Sequence, residues 1–349
     1  YNHTGTVTVT NSAFSGNIAA STTGGGGGIG NSGTLTVTNS TFSGNSADYD
    51  GGGIGNSGTG TVTNSTFSGN SASHSGAGIG NVGTLTVTNS TFSSNSASHN
   101  GGGIASIIGT VTVTNSTFSG NSADYDGGGI ASGTGTVTNS TFFGNSASHN
   151  GGGITSIGRL TVTNTIVANS TTGGNCAGSV TDGGHNIDDG TTCGFTGTSL
   201  SNTNPMLDPA GLANNGGPTE TIALCTGTGA PSTGCTGASP AINAGDESVC
   251  STATGTAPVD NLDQRGVVRP GANHANCSVG AFEANLPTSA VCIGDCDGSG
   301  YVTVDEILTL VNMALGNGGT CPSGLAAGVT PDVSVILTAV NKALNGCGG

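Results

Sequence analysis

The stretch GTLTVTNSTFSGNSADYDGGGIGNS, residues 33–57, is followed from residue 58 by a near copy of itself. Its Thr-Asn-Ser step, which becomes Thr-Asn-Thr in the last copy, recurs at intervals of 28, 25, 25, 26, 24 and 25 residues, with the asparagine at Asn11, Asn39, Asn64, Asn89, Asn115, Asn139 and Asn164. A fixed period of this length is typical of solenoids and related repeat folds. The repeats therefore predict seven stacked coils of about 25 residues each.

Within each repeat, apolar and polar residues alternate as they do in a half-buried strand. In the strand 34–38, Leu35 and Val37 are expected to point inward, while the threonines face solvent. Glycine triplets such as 51–53 are suited to tight corners. We therefore expect an all-β fold, a parallel β-helix of about 25 residues per coil, with neighbouring coils about 4.8 Å apart.

Two side-chain columns are expected to support the stack. An asparagine repeated at one turn can bond to its own copies in the coils above and below, which satisfies an amide that is costly to bury. A phenylalanine follows this asparagine by three residues in six copies. The predicted structural ladder comprises Asn39, Asn64, Asn89, Asn115, Asn139, Phe42, Phe67, Phe92, Phe118 and Phe142.

The composition restricts the classes of partner. The 349 residues carry a formal net charge of −15, and only 7% are charged. Such a surface repels nucleic acid and anionic lipid, and no apolar run is long enough to span a membrane. All ten cysteines lie after residue 175, an even number that indicates disulfides formed in an oxidising compartment. We expect an extracellular protein on a bacterial cell surface.

The regular coils are predicted to span residues 1–200. Beyond them the repeat is lost and cysteine and proline become more frequent, so residues 201–287 are predicted to form disulfide-rich terminal coils and a cap. Nearest-neighbour pairing would join Cys176 with Cys193, Cys225 with Cys235, and Cys250 with Cys277. Two of the four cations in the chain, Arg265 and Arg269, lie in this region. They are interpreted as ion-pair partners of Asp263, Asp260 or Glu283 rather than as catalytic groups.

Residues 288–349 differ from the repeats in their sequence pattern and are predicted to form a small α-helical module. The stretch CIGDCDGSGYVTVDE, residues 292–306, has the spacing of an EF-hand loop that opens a helix. One Ca²⁺ site is predicted, with ligands Asp295, Asp297, Ser299, Tyr301 through its carbonyl, Thr303 through water, and Glu306. A second copy of the loop and helix has lost its acidic residues. The module's cysteines, Cys292, Cys296, Cys321 and Cys347, are expected to brace it.

Several motifs resemble known families. The Phe-x-x-Asn step with Gly-Gly-Gly-Ile resembles the repeats of polymorphic outer-membrane proteins, which implies a right-handed parallel β-helix of a surface adhesin. The motifs NGGPT (215–219), SPAINAG (239–245), DQRG (263–266) and GAFE (280–283) resemble the choice-of-anchor Q family of secreted bacterial proteins. The two loop-helix units are similar to a type I dockerin, which implies a cohesin-like partner.

The favoured function is a secreted, non-catalytic structural or adhesive β-solenoid of the cell surface or extracellular matrix, which docks through its calcium module or joins copies head to tail into filaments. One alternative is a pectin-lyase-like protein that binds or cleaves glycans. A polyuronate lyase is disfavoured because Arg159 is the only cation in residues 1–200. A second alternative is ice binding by the outward rows of threonine.

One turn column offers a further chemistry. The repeat is expected to place Asp48 and Asp50, His74, His99, Asp124 and Asp126, and His149 over one another, so that acids and imidazoles alternate. This pattern is compatible with a surface metal site or a pH-sensing strip. It is also compatible with weak, solvated polar pairs worth about 0–1 kcal/mol each.

Overall fold

The computed structural model describes residues 1–20, 25–251, 261–271, 274–284, 293–296, 302–321, 325 and 331–345. The chain divides into two compact units, residues 1–284 and residues 285–349. The first unit contains a parallel β-solenoid of about seven turns with about 25 residues per coil, which confirms the expected fold class.

Three parallel sheets run along the solenoid. The largest, the Thr sheet, has 11 strands: Thr6–Thr10, Ile29–Asn31, Thr34–Thr38, Ile54–Asn56, Thr59–Thr63, Ile79–Asn81, Thr84–Thr88, Ile104–Thr114, Ile130–Thr138, Ile154–Thr163 and Cys176–Asp182. The Phe sheet has eight: Ala13–Ser15, Thr41–Ser43, Thr66–Ser68, Thr91–Ser93, Thr117–Ser119, Thr141–Phe143, Ile166–Ala168 and Ile187–Asp188. The third has six: Ile18–Ala19, Ser46–Ala47, Ser71–Ala72, Ser96–Ala97, Ser122–Ala123 and Ser146–Ala147.

The core consists of equivalent side-chain layers stacked along the solenoid. Phe42 pairs in register with Phe67, and Phe67 with Phe92. Six phenylalanine rings, from Phe14 to Phe142, stack face to face with centroids 4.6–4.8 Å apart and interplanar angles of 2–3°. Leu35 and Val37 are buried beside this stack, as the strand alternation predicts. Each coil therefore buries its apolar face against its neighbours rather than against a separate layer.

The asparagine ladder lies at a different position from the one expected. The Thr-Asn-Ser asparagines occupy left-handed corners with φ between 45° and 51°. The side-chain oxygens of Asn64, Asn89, Asn115 and Asn139 have no hydrogen-bond partner in the described part of the chain. The adjacent serines connect the coils at this step: the Ser40 amide donates to Ser65 Oγ at 3.1 Å. Because asparagine tolerates left-handed backbone, these residues serve the corner, and their amides point away from their copies.

Two other asparagine columns carry the amide-to-amide bonds. In the Phe-x-x-Asn column, Asn70 Nδ2 donates to Asn95 Oδ1 at 2.9 Å and to the Phe42 carbonyl at 2.9 Å, while the Asn70 backbone amide also donates to Asn95 Oδ1 at 3.0 Å. The same pattern runs through Asn17, Asn45, Asn70, Asn95, Asn121 and Asn145. A shorter column runs through Asn2, Asn31, Asn56 and Asn81. These buried amides are satisfied by their own copies.

The segment expected to cap the solenoid contacts several coils from the side. Buried Gln264 donates through Nε2 to Thr91 Oγ1 at 2.8 Å and accepts from Thr117 Oγ1 at 2.6 Å. The Ala281 amide donates to Thr141 Oγ1 at 3.0 Å. The outer face of the Phe sheet is thus covered over three successive coils. Two antiparallel pairs complete this region, Leu207–Ala213 with Thr221–Leu224 and Thr226–Thr228 with Thr236–Ala238, and helix α1 spans Glu247–Cys250.

Ion pairs hold this lateral segment together. Arg265 Nη2 lies 2.6 Å from Asp263 Oδ2, and the guanidinium also stacks over the Phe282 ring at 3.6 Å. Arg269 and Glu283 are fully buried and lie 3.2 Å apart. Burial lowers the pKa of Arg269 despite the opposing charge of Glu283. Asp263 and Glu283 are therefore the partners of the two arginines; Asp260 lies outside the described residues.

The cysteines pair locally. The described disulfides are Cys176–Cys193, Cys225–Cys235, Cys250–Cys277 and Cys296–Cys321. Cys292 and Cys347 lie outside the described residues. In the second unit, helix α2 spans Val304–Ala314 and helix α3 spans Val333–Asn345. Leu310 and Ala339 from these helices pack with the disulfide in a small core of its own.

Candidate functional site

The described part of the proposed calcium loop consists of its beginning and its end. Glu306, at the twelfth loop position, accepts at Oε1 from the Cys296 amide at 2.8 Å. Its Oε2 accepts from the amide and the hydroxyl of Thr303 at 2.7 and 2.8 Å, which forms a capping box at the start of α2. The other predicted ligands, Asp297, Ser299 and Tyr301, lie outside the described residues.

The donor chemistry of this loop fits calcium. Asp295 is 5% exposed and Glu306 is 7% exposed, and carboxylates are the ligands that Ca²⁺ prefers. Within the residues that the structure describes, no group of three or more His, Cys, Asp or Glu side chains is placed to hold a metal ion. Calcium binding by this module therefore stays a prediction.

An exposed turn edge of the solenoid carries a column of stacked aromatic rings. The Tyr/His column consists of Tyr49, His74, His99, Tyr125 and His149. Successive ring centroids lie 4.6, 5.0, 5.1 and 4.3 Å apart, and the interplanar angles range from 2° to 21°. The backbone fixes this register, since the His74 amide donates to the Tyr49 carbonyl and the His99 amide to that of His74.

This arrangement corrects the expected order of acids and imidazoles. His74 lies over Tyr49, while Asp50 lies beside it and binds His74 Nδ1 at 2.8 Å through Oδ1. The same carboxylate oxygen accepts from the Ser75 amide at 2.8 Å. Face-to-face imidazoles direct their ring nitrogens along parallel lines, whereas a tetrahedral zinc site needs them to converge. The geometry thus disfavours shared metal binding, and a pH-dependent role stays a prediction.

A depression of about 360 Å³ lies beside the Tyr/His column. Its other wall includes Val82, 49% exposed, and Ile108, 83% exposed. The depression meets the edges of the stacked rings, because the faces of His74 and His99 are covered by their neighbours in the stack. A ligand here would find few aromatic faces to pack on.

A second pocket, of about 450 Å³, lies beside the Phe sheet near the sixth and seventh coils. We call it the Phe143 pocket. Four residues supply apolar lining: Phe143, Ala168, Pro205 and Leu207. Four others supply polar lining: Asn169, Asp189, Asn202 and Asn204. Within this lining set there is no cationic side chain.

Hydrogen bonds from Asn169 and Asn175 hold the carboxylate of this pocket in place. Asn175 Nδ2 donates to Asp188 Oδ1 at 2.6 Å and to Asp189 Oδ1 at 2.5 Å. Asp188 is fully buried and also accepts from the amides of Gly190 and Cys193 at 2.8 and 3.0 Å. Since Asp188 is enclosed, Asp189 is the carboxylate that reaches the pocket, and the two do not form an exposed acid pair of the kind glycosidases use.

Our sequence reasoning missed this pocket, although one signal for it was present. Phe143 pairs in register with Ser119 and with Ala168. The preceding coils carry serine at this outward position, at Ser15, Ser43, Ser68, Ser93 and Ser119. A large aromatic residue at an outward position that is otherwise serine marks a coil with a local role. Asp189, Asn202 and Asn204 lie after the seven repeats and follow no pattern, while Asn169 lies in the seventh repeat.

The threonine rows have the regularity that the ice-binding alternative requires. Thr34, Thr59, Thr84, Thr110 and Thr134 pair in register along the Thr sheet, and Arg159 takes the next place. A neighbouring row is partly covered, since Thr114 is 4% and Thr138 is 8% exposed. The uncharged lattice is therefore limited to part of the sheet, and ice binding stays a prediction.

Among the described residues, no helix is long and apolar enough to cross a membrane. Neither the curated proteins nor the solved structures contain a match to this chain. The repeat of the Chlamydia polymorphic membrane protein matches residues 39–57, 89–107 and 115–133. Each matched segment runs from a Thr-Asn-Ser corner through the Phe stack to the next strand of the Thr sheet. Together with the stacked coils, this match identifies a parallel β-helix similar to the polymorphic membrane proteins of Chlamydia.

Proposed function

We propose that this chain is a non-catalytic, adhesive structural protein of the bacterial cell surface or extracellular matrix. The observation that carries the proposal is the in-register stacking of one repeated unit. This stacking builds a solenoid whose Thr, Ser and Asn surface is nearly uncharged. The similarity to polymorphic membrane protein repeats and the four described disulfides support a location outside the cytoplasm.

Adhesion is tested with beads that carry the full, disulfide-bonded chain. We expect these beads to attach to cultured cells or to extracellular-matrix films several-fold more than beads that carry an inert protein of similar charge. A stiff solenoid presents its side surface at a distance from the bead, so attachment should persist at physiological salt. Attachment equal to that of the inert beads would contradict the proposal.

Association between copies is a finer part of the same proposal. Among the described residues, the strands Thr6–Thr10, Ala13–Ser15 and Ile18–Ala19 have a hydrogen-bonded neighbour on one side only. Ile18 is 75% exposed at this edge. Such an edge accepts a further coil or a second copy. Electron microscopy should show end-to-end rods longer than one chain, whereas short rods of uniform length at high protein concentration would refute self-assembly.

The calcium module gives a separate prediction. We propose that one Ca²⁺ stabilises helices α2 and α3, since Asp295 and Glu306 bring buried carboxylates to the loop. Removing calcium with a chelator should lower the helical circular dichroism signal, and calorimetry should report one site per chain. Glu306→Gln should weaken binding about tenfold or more, whereas Asp305→Asn, an exposed neighbour outside the ligand positions, should not. Equal affinities for the two variants would refute the site.

A further inference from the structure

We propose that the Phe143 pocket binds one terminal unit of an uncharged saccharide. This inference rests on the proposed adhesive function, because it names the class of ligand that the solenoid would hold. The pocket volume of about 450 Å³ accommodates a sugar unit, since small-molecule pockets range over about 300–1,000 Å³.

The apolar lining suits the C–H face of a sugar ring. Phe143 is only half-buried, so part of its ring remains open to the pocket. Ala168, Pro205 and Leu207 are buried and complete the apolar lining. A planar aromatic face beside small aliphatic groups removes C–H surface from water without requiring a polar partner.

The polar lining suits hydroxyl groups. Asn169, Asn202 and Asn204 contribute amides that both donate and accept, as each hydroxyl of a sugar does. Asp189 is held in place, because its Oδ2 accepts from the backbone N–H of Asn169 at 2.8 Å and its Oδ1 from Asn175 Nδ2 at 2.5 Å. Each carboxylate oxygen can accept a further bond from a ligand hydroxyl.

The charge of the pocket selects against acidic ligands. Asp189 is the only charged side chain among its lining residues, and the chain as a whole has a net charge of −15. Uronic acids, sialic acids and phosphates would meet like charge with no arginine or lysine to bind them. A protonated amine could donate hydrogen bonds to the one carboxylate, but it could not accept hydrogen bonds from the three side-chain amides. A hydroxyl group can do both.

The deviation from the repeat places an aromatic ring at the pocket, where Phe143 also packs against an apolar cluster that includes Ala168 and Leu207. Serine stands at the matching position of the preceding coil, Ser119, and that coil is otherwise built in the same way. Asn202 lines the pocket from a left-handed corner with φ of 53°, a backbone conformation that asparagine tolerates.

The test uses the full, oxidised chain and a panel of uncharged sugars: glucose, galactose, mannose, fucose, N-acetylglucosamine, and short β- and α-linked oligomers of glucose. Saturation-transfer NMR should detect at least one of them, and a titration should then give its Kd. Phe143→Ser, which restores the residue of the repeat, and Asn202→Gly, which keeps the positive φ, should each weaken that sugar about tenfold.

Asn11→Gly is the matched control, since Asn11 is exposed with φ of 49° in the first coil. It should bind as the wild type does. The inference is overturned if no sugar of the panel binds, if glucosamine or glucuronate binds in preference to the uncharged sugars, or if the folded Phe143→Ser and Asn202→Gly variants retain full affinity.

The bead assay separates this inference from the function on which it rests. If wild-type beads adhere and Phe143→Ser beads adhere equally, adhesion stands and the sugar pocket fails as its cause. If the wild type binds the sugar but its beads do not adhere, the pocket stands and the adhesive function fails.

Discussion

Replacing Asn95 by alanine should destabilise the solenoid by about 3–5 kcal/mol, because buried donors left without an acceptor cost about 1–3 kcal/mol each. Asn95 Oδ1 accepts both the backbone amide and the side-chain amide of Asn70, and Asn95 Nδ2 donates to the Phe67 carbonyl at 3.0 Å. An alanine side chain can replace none of these bonds. Urea unfolding of the oxidised protein, followed by far-ultraviolet circular dichroism, measures the loss.

The matched control is Asn89→Gly in the same coil. Asn89 has φ of 51°, and its side-chain oxygen finds no hydrogen-bond partner among the residues that the structure describes. Glycine adopts this backbone readily, so the change in the free energy of unfolding should stay within about 1 kcal/mol. Similar losses for the two variants would show that the ladder does not depend on the Phe-x-x-Asn column.

Phe92→Ala should cost about 3–5 kcal/mol, the range for removing a buried phenylalanine from a close-packed core. Its ring is fully buried between Phe67 and Phe118, with both centroids 4.7 Å away. Coils of a solenoid stabilise one another only through their neighbours. Hydrogen exchange should therefore show the largest loss of protection in the coils that contain Phe67, Phe92 and Phe118.

Phe143→Ser provides the comparison for this substitution. Phe143 is half-buried and lies outside the ring stack, at a position where Ser119 occupies the preceding coil. Because part of the ring packs against a separate apolar cluster that includes Ala168 and Leu207, its replacement should cost about 1–2 kcal/mol, less than the loss of Phe92. Uniform loss of protection along the whole solenoid after Phe92→Ala, or an equal effect of Phe143→Ser, would contradict a stack that acts layer by layer.

The sequence predicted the solenoid because its period and its columns are local and repeated. Phe42, Phe67 and Phe92 recur with one spacing, and parallel strands in register must place like residues over like. The sequence pattern could not show which asparagine column carries the amide-to-amide hydrogen bonds. Asn89 and Asn95 recur with nearly the same period, and only the backbone shows that one turns a left-handed corner while the other faces its copies.

The pockets and the Tyr/His column could be identified only from distances between residues in different coils or segments. Tyr49 and His74 follow the period closely enough to be aligned, but a shift of one residue decides whether a histidine lies over an acid or over a tyrosine. The lateral contacts of Gln264 with Thr91 and Thr117 join segments 173 and 147 residues apart. No local pattern specifies such pairs.

By itself, the sequence determined the coil, its period, its inward side chains and the local pairing of its cysteines, since these depend on alternation, spacing and composition. The tertiary structure alone decided which amides bond to their copies, which rings stack at the surface, and that Phe143 and Asp189 line one pocket. Those outcomes depend on side-chain direction and on contacts between distant segments, which a one-dimensional pattern does not contain.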